Sequence, residues 1–210
     1  SVALIAGAFS ANGQFNATVD TGANWVGYMN WSGGNVGGGS WGTADLPAVF
    51  SGNVLTLGPN TNTYDTSNSY WNLTDGTSVN TLEANFFVED TGLRGQTVNF
   101  SGTVESNTLT QDYTAIAIIK VLDANTGYSV AFSDTANLTV GNFDLTLQIP
   151  TGDNYIPQYG FQVVGPNAPS INSFGNVVIT AVPEPSTWAL MGGLITFLFV
   201  AVRRYRGRRA

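Results

Sequence analysis

The stretch LEANFFVEDTGLRGQTVNFSGTV, residues 82–104, alternates apolar and polar side chains in two runs with a turn between them. A period of two places successive side chains on opposite faces of a β-strand. The first run therefore predicts a half-buried strand, and its apolar members are Leu82, Ala84, Phe86 and Val88. The second run predicts another, and its apolar members are Val98, Phe100 and Val104.

Shorter segments of the same kind recur along the chain, separated by turn signals such as Asp75-Gly76. They predict strands at residues 54–57, 70–73, 128–132, 143–149, 159–163 and 177–181. The segment Tyr113–Leu122 is apolar on both faces, which predicts a central strand. About ten antiparallel strands in one domain indicate an all-β fold, an antiparallel two-sheet β-sandwich with jelly-roll connectivity favoured.

The composition excludes several functional classes. The chain has no Cys and no His, so it contains no disulfide, no Cys/His zinc site and no Ser-His-Asp triad. Residues 1–182 carry 13 acidic side chains against two bases, Arg94 and Lys120, whereas residues 183–210 carry Glu184 and five Arg. An acidic body repels phosphates, so we expect no nucleic-acid partner.

The basic tail has three parts. Two prolines flank Glu184 and fix a short extended segment. Residues 188–202 then contain no charge, which predicts a short transmembrane helix, the alternative being a buried core helix. Its anchoring side chains would be Trp188, Leu190, Leu194, Phe197, Phe199 and Val202. The arginines that follow place the tail in the cytoplasm and the body outside it, and they are Arg203, Arg204, Arg206, Arg208 and Arg209.

This order of proline-flanked motif, apolar helix and arginine cluster resembles the PEP-CTERM sorting signal of Gram-negative bacteria. The resemblance covers about the last 28 residues, and its recognition residues would be Val182, Pro183, Glu184, Pro185 and Ser186. It implies an exosortase-type membrane enzyme as a partner, transit through the inner membrane, and a final position at the cell surface or in an exopolysaccharide matrix. Residues 93–109, 113–123 and 158–167 also resemble the bodies of PEP-CTERM proteins of unassigned role.

These features divide the chain into five segments. Residues 1–19 are either a signal-peptide remnant or the first strand, because Val2–Phe9 is apolar and contains Ala6-x-Ala8. The remaining segments are the sandwich at 20–181, the motif and linker at 182–187, the transmembrane helix at 188–202 and the cytoplasmic tail at 203–210.

Four tryptophans are candidate carbohydrate contacts, because flat rings on a sandwich face can stack on sugars. They are Trp25, Trp31, Trp41 and Trp71, and core packing is the competing interpretation. The glycines between Trp31 and Trp41 predict a flexible loop, without the Lys and Ser/Thr of a phosphate-binding loop.

The acidic residues give two weaker hypotheses. Residues 123–125 and 152–154 offer loop oxygens that suit calcium, although turns without a metal are the favoured explanation. Glu89 and Asp90 are neighbours that point to opposite faces of a strand, so they cannot flank one glycosidic bond.

We therefore expect no catalytic residue, no metal site and no required cofactor. The leading hypothesis is an exported, non-enzymatic surface or matrix protein whose body acts structurally or adhesively. A carbohydrate-binding sandwich module is the alternative, and a glycan-active enzyme with two carboxylates is the third.

Overall fold

The computed structural model describes residues 13–171 and 173–181, which form two packed β-sheets. The strands of the first sheet are β1 (Gln14–Ala17), β4 (Ala48–Ser51), β5 (Val54–Leu57), β7 (Thr97–Asn107), β10 (Gly141–Gln148) and β12 (Val177–Thr180). Their order is β10-β7-β12-β5-β4, with β1 beside the first half of β7. The strands of the second sheet are β2 (Trp25–Gly33), β3 (Gly37–Trp41), β6 (Asn80–Glu89), β8 (Thr114–Asp123), β9 (Ser129–Asn137) and β11 (Tyr155–Gly165). Their order is β3-β2-β6-β11-β8-β9.

The two-sheet sandwich predicted from the alternation is confirmed. From β5 onward every connection crosses between the sheets except the one from β8 to β9, which is a pattern compatible with the predicted jelly roll. The described strands pair antiparallel except at one place, where β1 runs parallel to β7. The prediction of wholly antiparallel pairing is therefore wrong for β1, whose neighbour was not expected from local sequence.

The main core lies between the sheets and is rich in aromatic rings. Phe100 of β7 lies 5.2 Å from the Phe161 ring of the opposite sheet, measured between centroids. Phe86 stacks on Trp25 with centroids 4.5 Å apart. Both Phe100 and Phe161 are almost fully buried, so burial of each side chain contributes about 2–3 kcal/mol to stability. The alternating apolar residues of β7 and the second half of β6 point into this core as predicted, whereas Leu82 and Ala84 of β6 belong to a smaller cluster on the same face.

A smaller apolar cluster lies at one end of the inner face of the second sheet. It consists of Met29, Leu46, Leu82 and Ala84, with Trp31, Trp41 and Trp71 packed against it. The segment between β5 and β6 is held to the body near this end by buried amides. Asn72 and Asn167 exchange two hydrogen bonds of 2.8 Å, and because each amide satisfies the other, the loop is fixed without a strand.

Two local predictions are wrong. Residues 70–73 form turns with a single bridge from Asn72 to Ser78, because side chains such as Asn68 bond nearby backbone groups. The glycine-rich segment is a β-hairpin rather than a flexible loop, since Gly37 and Gly38 pair with Trp31 and Asn30. Tyr113–Leu122 does lie inside the sheet as β8, although it is next to the edge strand β9.

The structure describes only part of the chain near its two ends. The first described strand begins at Gln14, and Val19 is a core residue, so the sandwich includes residues ahead of the predicted boundary at 20. The apolar segment Val2–Phe9 lies outside the described residues, as do the sorting motif after Ala181, the predicted membrane helix and the arginine cluster. No helix within residues 13–171 and 173–181 is long and apolar enough to span a bilayer.

Candidate functional site: a groove across the second sheet

The outer face of the second sheet carries a groove of about 1090 Å³ that runs across the strands from β3 to β9. Five spacings of about 4.8 Å between six strands give it a length of about 24 Å. Its floor contains Asn85 and Phe87 of β6, Lys120 of β8 and Gln158 of β11. Because these positions face away from the main core, their burial comes from one another and from the walls of the groove.

Asn85 is the centre of a hydrogen-bonded network on the floor. Its Oδ1 accepts from Lys120 Nζ at 3.0 Å and from Gln162 Nε2 at 3.1 Å. Its Nδ2 donates to Glu83 Oε1 at 3.0 Å, and the same oxygen accepts from Asn30 Nδ2 at 3.0 Å. Although Asn85 points away from the core, it is only 1% exposed. A network of this kind fixes side-chain positions before any ligand arrives.

Lys120 is the basic residue of the groove, and it is held by two different contacts. Its Nζ lies 5.5 Å from the centroid of the Phe87 ring, which is within cation–π range. Burial lowers the pKa of Lys120 below its usual 10.5, and the nearby Glu83 carboxylate partly opposes this shift. The ammonium is therefore positioned and partly desolvated.

Close backbone packing underlies the floor. Gly160 of β11 pairs with Phe87 of β6 and Ile118 of β8. A Cβ built at Gly160 would lie 2.2 Å from the Phe86 carbonyl oxygen, so a larger residue would push the strands apart. Glycine at this position is thus required by the approach of β6 to β11.

Two tyrosines stand on opposite walls. Tyr28 of β2 is 38% exposed, and a Cβ at Gly38 would lie 3.0 Å from its hydroxyl oxygen, so the glycine strand leaves room for the ring. Tyr128 precedes β9 and is 61% exposed. Its φ of 64° lies in the left-handed region that costs a non-glycine residue roughly 1–2 kcal/mol. A strained, exposed aromatic residue at the rim of a groove is typical of a functional position.

The predicted tryptophans do not form one exposed row. Trp25 is stacked on Phe86 in the core, and its Nε1 donates to the Asp20 carbonyl at 2.7 Å. Trp31 donates to the Tyr70 hydroxyl at 2.9 Å and packs edge-on against Trp71, and neither residue lines the groove. Trp41 packs on the smaller cluster. Trp25 and Trp41 do reach the wall of the groove with part of their surface.

The loops proposed for calcium come together at one end of β8 and β11. Asp123 Oδ1 accepts from the Asn125 backbone N–H at 2.9 Å and from Asn154 Nδ2 at 2.7 Å. Asp153 is exposed and lies 3.6 Å from the Arg94 guanidinium. Among the residues that the structure describes, no three carboxylates gather in a way that suits a metal ion.

Sequence reasoning missed the groove because its residues come from six strands whose order is not encoded locally. One signal was available, since Lys120 is a single base inside an otherwise apolar strand segment. A long cation at such a position needs a polar partner on the neighbouring strands, and Asn85 supplies it.

Comparisons with known proteins identify the tail rather than the body. No curated protein matches the chain. A solved structure titled "CBM4 structure and function" aligns with a TM-score of 0.33 and 15% identity, covering 63% of this chain and 71% of that chain. At that score the likeness says nothing about what this chain binds. The model of the PEP-CTERM protein-sorting motif matches residues 181–206. The chain therefore carries a PEP-CTERM sorting motif, which implies processing by an exosortase, a membrane enzyme, and export through the membrane towards the cell surface or extracellular space.

Proposed function

We propose that the protein is a surface or matrix protein whose body binds polysaccharide through the groove of the second sheet. The observation that carries this proposal is the buried network centred on Asn85, which lies on an outer face between Tyr28 and Tyr128. Polysaccharide sites combine fixed polar groups with exposed aromatic rings, and both are found here. This function gives the adhesive role expected for the body a physical basis.

The shape of the groove also suits a chain-like ligand. A trough about 24 Å long that crosses six strands accepts several sugar units of an extended polymer. Its length exceeds that of a pocket for one small molecule, and it is lined by both polar and apolar groups. We therefore infer that the ligand lies across the strands, with Tyr28 and Tyr128 contacting units towards opposite ends.

We propose binding without catalysis. Glu83 and Glu89 are the carboxylates that line the groove within the described part of the chain. Six residues of extended strand separate them by about 20 Å, whereas glycosidases need their two carboxylates about 5–10 Å apart. Glu83 Oε1 also accepts hydrogen bonds from the Asn30 and Asn85 amides, so this carboxylate is already part of the network on the floor of the groove.

The binding proposal is tested with the full-length chain in detergent. Its retention is measured by affinity electrophoresis through gels that contain soluble β-1,3-glucan, xylan or glucomannan. We expect retention on at least one polymer, and its loss in the double variant Tyr28→Ala, Tyr128→Ala. The matched control is Val49→Ala, an exposed residue of the first sheet, which should be retained as the parent chain is. Absence of retention on all three polymers and on a carboxylated glucan would refute the proposal.

The sorting proposal has its own test. We expect Glu184→Ala to leave the full-length form in the inner membrane, because exosortase is expected to read the residue between Pro183 and Pro185. Fractionation followed by mass determination measures this. A shortened Glu184→Ala product at the surface would show that the enzyme does not need this glutamate.

A further inference from the structure

One buried acceptor in the groove has no partner. Gln158 is only 4% exposed, and its Nε2 donates to Glu89 Oε2 at 2.7 Å. Its Oε1 is the buried side-chain polar atom without a hydrogen bond in the described part of the chain. Rotating the amide would not help, because it would turn Oε1 towards a carboxylate that can only accept. An unpaired buried acceptor is costly, so it points to a donor that arrives with a ligand.

The carboxylates of the groove offer further acceptors. Glu83 and Glu89 each have a second carboxylate oxygen that faces a site with a single base, Lys120. Part of the donor capacity of Lys120 is already used on Asn85 Oδ1. The surrounding body adds further repulsion for anions, since residues 1–182 hold 13 acids against two bases. The groove therefore favours groups that donate hydrogen bonds and disfavours groups that carry negative charge.

We propose that the groove selects neutral, hydroxyl-bearing glycans and excludes glycans that carry carboxylates. This inference rests on the proposed function and specifies its ligand class. A sugar hydroxyl donates to Gln158 Oε1, and neighbouring hydroxyls donate to the free oxygens of Glu83 and Glu89. A uronic acid unit at the same place would set a carboxylate against these acceptors and leave Gln158 Oε1 unpaired.

The first experiment compares one polymer in two charge states. Retention of the full-length chain is measured on a neutral glucan and on the same glucan after selective oxidation of its C6 hydroxyls to carboxylates. We expect at least about tenfold weaker binding to the oxidised polymer at 0.15 M salt. Equal or tighter binding to the oxidised polymer would overturn the ligand class while leaving the groove as a glycan site. Absence of binding to both would instead refute the proposed function.

The second experiment asks whether the discrimination resides in the groove. The isosteric double variant Glu83→Gln, Glu89→Gln keeps an acceptor at each position and removes two charges. We expect the ratio of oxidised-to-neutral affinity to rise about tenfold. The matched control, Glu105→Gln with Asp144→Asn, removes two charges from the outer face of the first sheet and should leave the ratio near its starting value. An equal rise in both variants would assign the effect to net charge and overturn the proposal.

A third variant tests the unpaired acceptor directly. Gln158→Met has similar volume and supplies no acceptor of comparable strength, so affinity for the neutral glucan should fall about tenfold. Thermal unfolding and circular dichroism establish that the variant is folded. A folded Gln158→Met with unchanged affinity would show that no ligand hydroxyl pairs with Gln158.

Discussion

The two outer faces of the sandwich carry different kinds of side chain. On the first sheet, short neutral side chains form a solvated ladder in which Thr97 bonds Gln148, and Asn99 bonds Asn16 and Thr146. On the second sheet, long side chains and aromatic rings enclose Asn85, which is as buried as the core. Both faces use strand asparagines as hydrogen-bonding centres, but only the second removes its asparagine from water.

This difference separates two uses of polar residues on a sheet. Where the partners remain in water, as around Asn99, each hydrogen bond replaces one to solvent and contributes little to stability. Where the partners are buried, as around Asn85, every group depends on its neighbours, and the face becomes rigid and specific.

Replacing the two asparagines gives the strongest contrast. Asn85→Ala leaves the donors of Lys120 and Gln162 without their acceptor, so we expect a loss of about 2–3 kcal/mol in the free energy of unfolding. Asn99→Ala should cost less than about 1 kcal/mol, because water replaces its partners. Urea unfolding of both variants measures the difference. Equal losses of unfolding free energy would mean that the network around Asn85 stabilises the fold no more than the solvated ladder around Asn99.

Tyr128 tests whether the groove retains a strained residue for binding. Asparagine tolerates the left-handed backbone, so Tyr128→Asn should raise the free energy of unfolding by about 0.5–1 kcal/mol. The same variant should weaken glycan retention, because the exposed ring is lost. The control Val130→Asn, in the neighbouring strand, should give no gain in stability. A Tyr128→Asn protein that is less stable than the parent would show that the Tyr128 ring stabilises the fold by packing, and would contradict its role as an exposed ligand contact.

Lys120 gives the second sheet a pH response of defined sign. Its folded-state pKa is lowered by burial, so the unfolded chain holds the proton more tightly and stability should rise with pH up to 10.5. Burial raises the pKa of Tyr113 and Tyr159 to about 12. Their contribution is complete below pH 10 and is lost as the pH rises towards 12. Urea unfolding at pH 8–12 should show a rise followed by a fall, and Lys120→Met should abolish only the rise.

Metal removal should have the smallest effect. The Asp123 carboxylate already accepts hydrogen bonds from Asn125 and Asn154, so turn formation accounts for its position. We expect the melting temperature to be unchanged when a chelator such as EDTA is added to the protein. A fall of several degrees that calcium reverses would identify a cation site at these loops and contradict this expectation.

Local alternation predicted most of the strands correctly, since β5, β6, β7, β10 and β12 follow a period of two. The hairpin of β2 and β3 was missed because glycine has low strand propensity and Gly37 and Gly38 read as a loop. Pairing with β2 stabilises this strand despite its low propensity. Glycine is needed at position 37, because a Cβ there would lie 2.4 Å from the Trp31 ring and a larger residue would not fit. Nonlocal pairing also accounts for β1, whose parallel neighbour lies about eighty residues away.

The candidate site was less accessible from sequence than the fold. Four tryptophans are candidate sugar contacts from the sequence, with core packing as the competing interpretation, yet the exposed rings on the groove belong to Tyr28 and Tyr128. Asn85 and Gln162 come together only because β6 and β11 are neighbours in the sheet. Strand order decides which polar residues meet, and the alternation of side chains does not contain that order.

Strand β12 is the last element before the sorting motif, and it lies between β7 and β5 with Ile179 fully buried. The matched motif begins at Ala181, directly after the end of this strand at Thr180. We therefore expect an exosortase that processes this motif to work close to the folded sandwich, because no long linker separates the strand from the motif. The shape of the folded body would then limit how the enzyme approaches the motif, and a spacer inserted after Thr180 would remove this steric limit.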